Sequence, residues 1–299
     1  MFIYHDDEYV WKPYFKKLNS SFLSIPGLHM FGKADFKKAI IPLEEHIHPD
    51  CYEFVAVLSG SQQYSIGSET YLLSGGDVFM TAPGELHGSF RMPQQVARFL
   101  WFQIDMSQAT DFLGLSAPFC SDFYQKIRGY QKRLNKVSSQ DMELLNRAFS
   151  CFSEGTADAR RAGHSLFLSF LSILLLSSAE NSGVSPDIQN VLDYIHNHIR
   201  EELDFSELAA LGNLSVSRLK TKFKEQLGAP PREYINRLKI EEAKNMFANT
   251  SQSITETAFA LNFSSSNYFA SVFKQFTGYT PSQYIKLVHG AEKAPPHSD

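Results

Sequence analysis

Two groups of side chains in this chain have the types and the spacing to do chemistry. In the first, Glu45-His46-Ile47-His48 is followed, after four intervening residues, by Glu53, and Gly76-Asp77 leads through Pro83 to His87. Residues two apart on a strand project to the same side, so His46 and His48 can look into one interior together. Two imidazoles, a carboxylate and a remote third imidazole are a donor set for Zn, Fe, Ni or Mn. They are equally a set of hydrogen-bonding groups for a polar small molecule, or histidines satisfied within a core. Cys51 stands between His48 and Glu53, but a free thiol on a strand reads as packing. In the second group, Arg218, Lys220, Lys222 and Lys224 alternate with uncharged residues and no acid intervenes. A short basic front on a helix suits DNA phosphates and base edges.

The elements that must position these groups follow from the pattern around them. From about Ile40 to Ile104 the chain reads as short strands such as Phe54–Leu58, Gln63–Ile66, Asp77–Met80 and Ala97–Ile104, rich in aromatic and branched residues. Ser59-Gly60-Ser61, Gly67-Ser68 and Ser74-Gly75-Gly76 are expected as hairpin turns, so the N-terminal half is expected as a small antiparallel barrel or sandwich. Trp101 and Gln103 lie on a late strand and are candidates to line the same pocket, Trp101 as an aromatic platform. The aromatic segment Tyr9–Phe15 is either an arm or a first strand. After Asp105 the period becomes helical, with Met142, Leu145, Phe149 and Phe152 spaced 3, 4 and 3 apart. The apolar run Leu166–Leu176 is broken by Ser169 and Ser172 and falls short of the roughly 20 residues a membrane span needs, so it reads as a buried helix. Helices between about Asp122 and Ala179 are expected to pack on the barrel or on a second copy, making the protein a homodimer. Asn181–Asp187 has the composition of a linker. The expected layout is α+β: a sensor and dimerisation domain at 1–180, the linker 181–187, an all-α domain at 188–290 and a disordered tail at 291–299.

The all-α half contains an internal repeat. Ala209-Ala-Leu-Gly-Asn213-Leu-Ser215 returns 49 positions later as Ala258-Phe-Ala-Leu-Asn262-Phe-Ser264, and Leu219-x3-Phe223-Lys224-x3-Gly228 is answered by Phe269-x3-Phe273-Lys274-x3-Gly278. Each copy has the parts of a helix-turn-helix: a short helix (Ser206–Leu211; Ser253–Leu261), a turn at Asn, a serine N-cap and a second helix ended by Gly. Asn tolerates the left-handed backbone such a turn requires. Val216, Leu219, Phe223 and Leu227 share one helical face and leave Ser217, Arg218, Thr221 and Lys224 outward, with Lys220 and Lys222 flanking. In the second copy Phe269, Phe273 and Phe276 turn inward and Ser266, Asn267, Ser271 and Lys274 outward. A helix with an apolar back and a polar or basic front can enter a major groove. Between Pro186 and Gly290 eleven basic residues balance eleven acidic ones, yet the acids gather in Asp187–Glu207 and the bases in the first recognition helix. That segregation favours phosphate contact on one face over two merely solvated helices.

Composition sets outer limits. The net charge of -4 does not advertise a polyanion partner, so any basic face is local. Three widely spaced cysteines without a C-x-x-C pair argue against a disulfide framework and for a reducing compartment. The acidic, aromatic N-terminus lacks the form of an export signal, so a cytoplasmic protein without a membrane segment is expected.

The residues of the repeat closely resemble the AraC family of bacterial regulators. The match runs through Leu208-Ala209, Ser215-x3-Leu219-x3-Phe223-Lys224, Gly228-x-Pro230, Tyr234-Ile235, Ala243, Ser253-Ile254, Phe263, Tyr268-Phe269-x3-Phe273-Lys274, Gly278 and Pro281-Ser-x-Tyr284. The resemblance implies two helix-turn-helix units joined by a long central helix, on double-stranded DNA. Base-edge contacts then fall on Ser217, Lys220, Thr221, Ser266, Asn267 and Ser271, with Arg218, Lys224 and Lys274 beside them. The chain departs from the family where Asn213 and Asn262 replace Gly, Thr257 replaces Ile, and Lys239, Thr221 and Ser271 replace Arg. Losing Arg at 221 and 271 means the operator sequence does not carry over. The N-terminal H-x-H-x4-E and G-D-x5-P-x3-H pattern resembles a cupin double motif, implying a cupin-like antiparallel β-barrel. Its effector-binding candidates are His46, His48, Glu53, His87 and Trp101. The regulator needs no cofactor, although His46, His48, Glu53 and His87 offer a divalent transition metal a site, and the barrel leans toward a sugar effector. The leading expectation is a ligand-responsive activator of genes for carbohydrate or related small-molecule use. Its competitor is a metal-dependent cupin enzyme with an appended DNA-binding domain.

Overall fold

A computed structural model describes residues 10–89, 92–177, 184–250 and 252–291, which gather in the main into two compact units that part between Val184 and Ser185. In the first unit the strands are β1 (Val10–Lys12), β2 (Phe15–Asn19), β3 (Leu28–Phe36), β4 (Ile40–Pro42), β5 (Cys51–Ile66), β6 (Glu69–Ser74), β7 (Asp77–Thr81), β8 (His87–Gly88), β9 (Pro93–Gln94), β10 (Ala97–Asp105) and β11 (Leu134–Lys136). Its helices are α1 (Ser20–Leu23), α2 (Phe119–Arg128), α3 (Ser139–Glu154) and α4 (Ala157–Ser177). The main sheet runs β1-β2-β3-β10-β5-β7-β11, with β6 and β8 also pairing with β5, and β4 pairs with β9. The segment expected as either an arm or a strand supplies, from Val10 on, the edge hairpin β1-β2; Tyr9 lies outside the described residues.

The structure corrects one turn. Ser59-Gly60-Ser61 is not a hairpin loop but the middle of the 16-residue strand β5. Before Gly60 this strand pairs with β10 and β7; from Ser61 to Ile66 it pairs with β6 and, at its end, β8. The ladder slips between Arg98 and Phe99, so Leu58 is an extra residue on β5, and Gly60 has φ +80°. A bulge with a glycine beside it bends a strand enough to serve two sheets, closing the barrel at a corner. Turn-forming residues within a strand and between strands carry the same signature, which is why the composition misled.

Strand alternation on β10 sorts its side chains between two interiors. Leu100, Phe102 and Ile104 are fully buried and join Phe31 and Phe54 under α3 and α4. There the Phe102 ring stacks on Phe54 (5.0 Å) and meets Phe167 of α4 edge-on (5.2 Å), while Phe31 meets Phe149 of α3 (5.2 Å). Each such buried Phe contributes on the order of 1.5–3 kcal/mol of transfer free energy. The helical periodicity is as anticipated, with Met142, Leu145, Phe149 and Phe152 all buried in α3. The Leu166–Leu176 run lies in α4, where Phe167, Phe170, Leu171 and Leu174 are buried and Leu176 is exposed. The edge strand β11 was not anticipated, being three residues long. Phe99, Trp101 and Gln103 alternate to the barrel side.

The second unit is helical: α5 (Pro186–Asn197), α6 (Phe205–Leu211), α7 (Val216–Leu227), α8 (Pro231–Asn249), α9 (Ile254–Ala260), α10 (Ser266–Thr277) and α11 (Pro281–Ala291). Pro186 and Asp187, expected in the linker, open α5 behind the N-cap Ser185; residues 181–183 and 292–299, the rest of the expected linker and nearly all of the expected tail, lie outside the described residues. No helix among the described residues is long and apolar enough to cross a membrane.

Candidate functional site

On the barrel side the predicted donors close into one cluster. His46 and His87 exchange backbone hydrogen bonds (2.9 and 3.0 Å) as an isolated antiparallel bridge, which sets two residues 41 apart in sequence side by side. The alternation argument had placed His46 and His48 on a regular strand; the bridge achieves the same result, with the three imidazole centroids 4.4 to 5.3 Å apart. Glu53 comes from β5, directly opposite Gln103 of β10 on one side and Thr81 of β7 on the other. One donor atom from each of His46, His48, Glu53 and His87 lies within 4.8 Å of the others.

The backbone fixes which ring nitrogens face this centre. Nδ1 of His46 lies 2.8 Å from the Glu44 carbonyl and Nδ1 of His87 lies 2.9 Å from the Glu85 carbonyl. A carbonyl only accepts, so each Nδ1 carries the proton and, in the neutral ring, Nε2 turns a lone pair toward the cluster. Gln103 donates from Nε2 to Glu53 Oε2 (2.8 Å) and lies 3.1 Å from His48 Nε2. His87 Nε2 is buried without a hydrogen bond, 3.4 Å from Glu53 Oε1. Burial pushes the Glu53 carboxyl up, but the adjacent His48 and His87 imidazoles outweigh it and hold the group well below the usual carboxylate range. For His87 burial works downward and the Glu53 pair prevails, raising it; for His46 burial dominates, with the charge of His87 adding to it, and lowers it. A buried carboxylate among three imidazoles calls for a positive charge beside it, a proton or a metal ion.

Trp101 stands two residues from Gln103 on the same face, packed on Phe15 (5.0 Å), and a Cβ on Gly32 would lie 2.1 Å from its indole. It is buried, so it serves as wall rather than open platform. Gln103 is the residue the sequence undervalued: only the β5–β10 register sets it against Glu53. Cys51, buried and free, has its thiol pushed up to about 12 by burial and is not a member of the cluster.

The second group lies on two matched helix-turn-helix units. Asn213 and Asn262 each have φ +52°, the left-handed turn expected of them. Ser215 accepts from the Arg218 N–H (3.2 Å), and Ser265 from the Tyr268 N–H (3.1 Å), capping α7 and α10. Ser253 and Glu256 form a reciprocal capping box on α9. Leu219, Phe223, Leu227, Phe269, Phe273 and Phe276 are buried, whereas Ser217, Arg218, Lys220, Thr221, Lys224, Asn267, Ser271 and Lys274 are exposed and Ser266 is half-buried. Lys222 turns back to pair with Asp187 of α5 (2.5 Å), which clamps the first unit and removes one base from the exposed front.

Comparison with known proteins agrees with both halves. An AraC-like ligand binding domain model matches residues 43–171, and a helix-turn-helix domain model matches residues 208–287. The HTH-type transcriptional activator RhaS of Enterobacter sp. (strain 638) is 24% identical over 243 residues, covering 80% of this chain and 86% of that protein. RhaS of Salmonella agona (strain SL483) is 25% identical over 241 residues, covering 79% and 85%. Among solved structures, an AraC-type transcriptional regulator from Chromobacterium violaceum is 27% identical, covering 39% of this chain and 100% of that chain with a TM-score of 0.34. The two RhaS relatives are transcriptional activators by name, which favours a regulator over a metal-dependent enzyme. With a ligand-binding domain followed by paired helix-turn-helix units, the chain belongs to the AraC family of DNA-binding transcriptional regulators.

Proposed function

We propose that this regulator takes up a small oxygen-rich effector, with a carbohydrate as the leading class, on the barrel side at Glu53, Gln103 and the three imidazoles. The observation that carries the reading is the convergence of a buried carboxylate and three imidazoles, two of them, His46 and His87, oriented by backbone carbonyls, with His87 Nε2 buried and without a hydrogen bond. Glu53 and Gln103 accept from and donate to hydroxyls, His46 and His87 accept through Nε2, and Trp101 closes one wall. The donor set also fits a divalent transition metal, with His46, His48, Glu53 and His87 as ligands. Such a metal supplies a Lewis-acidic docking point for hydroxyl or carboxylate oxygens.

Occupancy then changes the balance between two arrangements of paired chains, and with it DNA affinity, by the differential affinity of the effector for the two. Pairing two copies lets two half-sites be read together. Base readout falls to Ser217, Lys220, Thr221, Ser266, Asn267 and Ser271, with Arg218, Lys224 and Lys274 on phosphates. The protein acts in the cytoplasm as an activator, the role its relatives' names carry. Calorimetric titration of the full chain with ZnCl2, NiCl2 and MnCl2, and with a panel of pentoses and hexoses, tests the effector site. Saturable binding that Glu53→Gln weakens at least tenfold is expected. Absence of binding to every probe, or binding indifferent to Glu53→Gln, overturns it.

A further inference from the structure

The DNA-binding unit holds a cleft of about 360 Å³ whose lining includes Lys239 and Arg232 of α8, Phe205 at the start of α6, and Asn262, Phe263 and Ser264 in the turn before α10. Lys239 is 7% exposed and makes no hydrogen bond or ion pair with any described residue. Its ammonium lies 5.7 Å from the centre of the Phe263 ring. Glu202, also on the lining, stays beyond ion-pair distance. Burial lowers the Lys239 ammonium, with only the charge of Glu202 opposing. The side chain is buried while its ammonium is held at the cleft with only a ring face beside it, which replaces lost solvation less well than a counter-ion does. Arg232, exposed, likewise has no ion pair or hydrogen bond with a described residue. Two cations on one cleft, neither with a hydrogen bond or ion pair to a described residue, describe a seat for an anion that the chain itself does not supply.

The position of the cleft says which anion. Phe205 lies under Lys220, whose Nζ is 5.8 Å from the ring centre, and Lys220 is on the exposed front of the first recognition helix. Asn262–Ser264 leads directly into the second recognition helix. The cleft is thus walled by elements adjoining both recognition helices, and a duplex that engages the two fronts passes beside it. We infer that the cleft seats a phosphate of the DNA backbone between the two segments read by α7 and α10, with Lys239 as its buried partner and Arg232 at the mouth. This rests on the DNA-binding reading of the unit. Such a contact fixes register and spacing without reading sequence.

The test is the salt dependence of duplex binding by the full-length protein, wild type against Lys239→Met and Lys239→Arg. Losing one phosphate contact makes the slope of log K against log salt shallower by about 0.9 and weakens binding about tenfold or more, alike for specific and unrelated duplexes. Lys239→Arg keeps the slope. Lys239→Met is expected to melt no lower than wild type, since it keeps the buried stem and removes a charge that no described residue pairs; should it fail to fold, Arg232→Gln is read in its place. A wild-type slope in the methionine variant, or in Arg232→Gln where that is the one read, overturns the inference. So does inorganic phosphate raising the melting temperature of the wild type but not of Lys239→Met while the DNA slope stays unchanged, which would make the cleft a free-anion site. Failure of the wild type to bind any duplex would instead refute the DNA-binding reading itself.

Discussion

Gly60→Ala, compared with Gly67→Ala, isolates the corner that lets β5 serve two sheets. Both glycines have positive φ, +80° and +57°. Each substitution therefore costs about 1–2 kcal/mol for placing an L side chain in left-handed backbone. A Cβ at Gly67 meets nothing within 4 Å, whereas at Gly60 it would lie 2.2 Å from the Val96 carbonyl oxygen and 2.7 Å from the Ala97 Cα. Neither atom can yield cheaply, because Val96 O accepts from the Ser61 N–H (3.3 Å) and Ala97 begins the β10 ladder opposite Gly60. Adding the loss of that bridge and displacement of the strand, by about 1–3 kcal/mol, brings Gly60→Ala to roughly 2–5 kcal/mol against 1–2 for the control. At about 2–4 °C per kcal/mol, the sensor unit should melt about 4–20 °C lower in the first variant and about 2–8 °C lower in the second. Thermal unfolding of the sensor transition by calorimetry measures this. Equal losses in the two variants would refute the claim that a close approach, rather than backbone conformation alone, holds the corner.

Other expectations follow from the same geometry. Phe102→Ala removes a fully buried ring packed on Phe31, Phe54, Phe167 and Phe170 and should cost about 3–5 kcal/mol in denaturant unfolding. Asp187 is drawn from its ordinary 3.8 down to about 2, first by the hydrogen bond from Lys222 and then by one from Ser185. Because its folded value is depressed, its stabilisation is present above pH 3.8 and is lost as pH falls from there toward 2; melting curves of Asp187→Asn and wild type should differ at pH 5 and converge at pH 2. Lys220→Ala and Asn267→Ala, both exposed on the recognition fronts, should each weaken binding to a selected operator by about 1–3 kcal/mol in equilibrium titration, with Asn267→Ala relaxing selectivity at one base position.

Much of this was legible in the residues because the signals were redundant. The helix-turn-helix repeat carried its own check: Asn213 and Asn262 recur at equivalent places and share φ +52°. The apolar spacing of α3 and α7 named buried faces that tertiary packing had no reason to override. The metal-type cluster was legible from spacing, since the H-x-H pair and Glu53 are local and the Pro83–His87 stretch ends within reach. What escaped was register. Gln103 faces Glu53 only because of how β10 is paired with β5, and no local pattern encodes a partner 50 residues away. Gly60 looked like a turn because a bulge and a hairpin ask for the same residue. The lack of a partner for Lys239 is likewise a tertiary fact: the residues around it come from α6, α8 and the turn before α10.

In the proposed function, recognition helices α7 and α10 read a defined DNA site and the barrel cluster governs how well they do so. Selection of bound duplexes from a randomised pool by the full-length protein at fixed salt, repeated with chelator, with added divalent metals and with added sugars, addresses both parts at once. One enriched site is expected, lost on Lys220→Ala or Asn267→Ala, whose recovery changes with at least one of those additions in the wild type but not in Glu53→Gln. No enriched sequence under any condition, or a site whose recovery is the same for wild type and Glu53→Gln throughout, would contradict it.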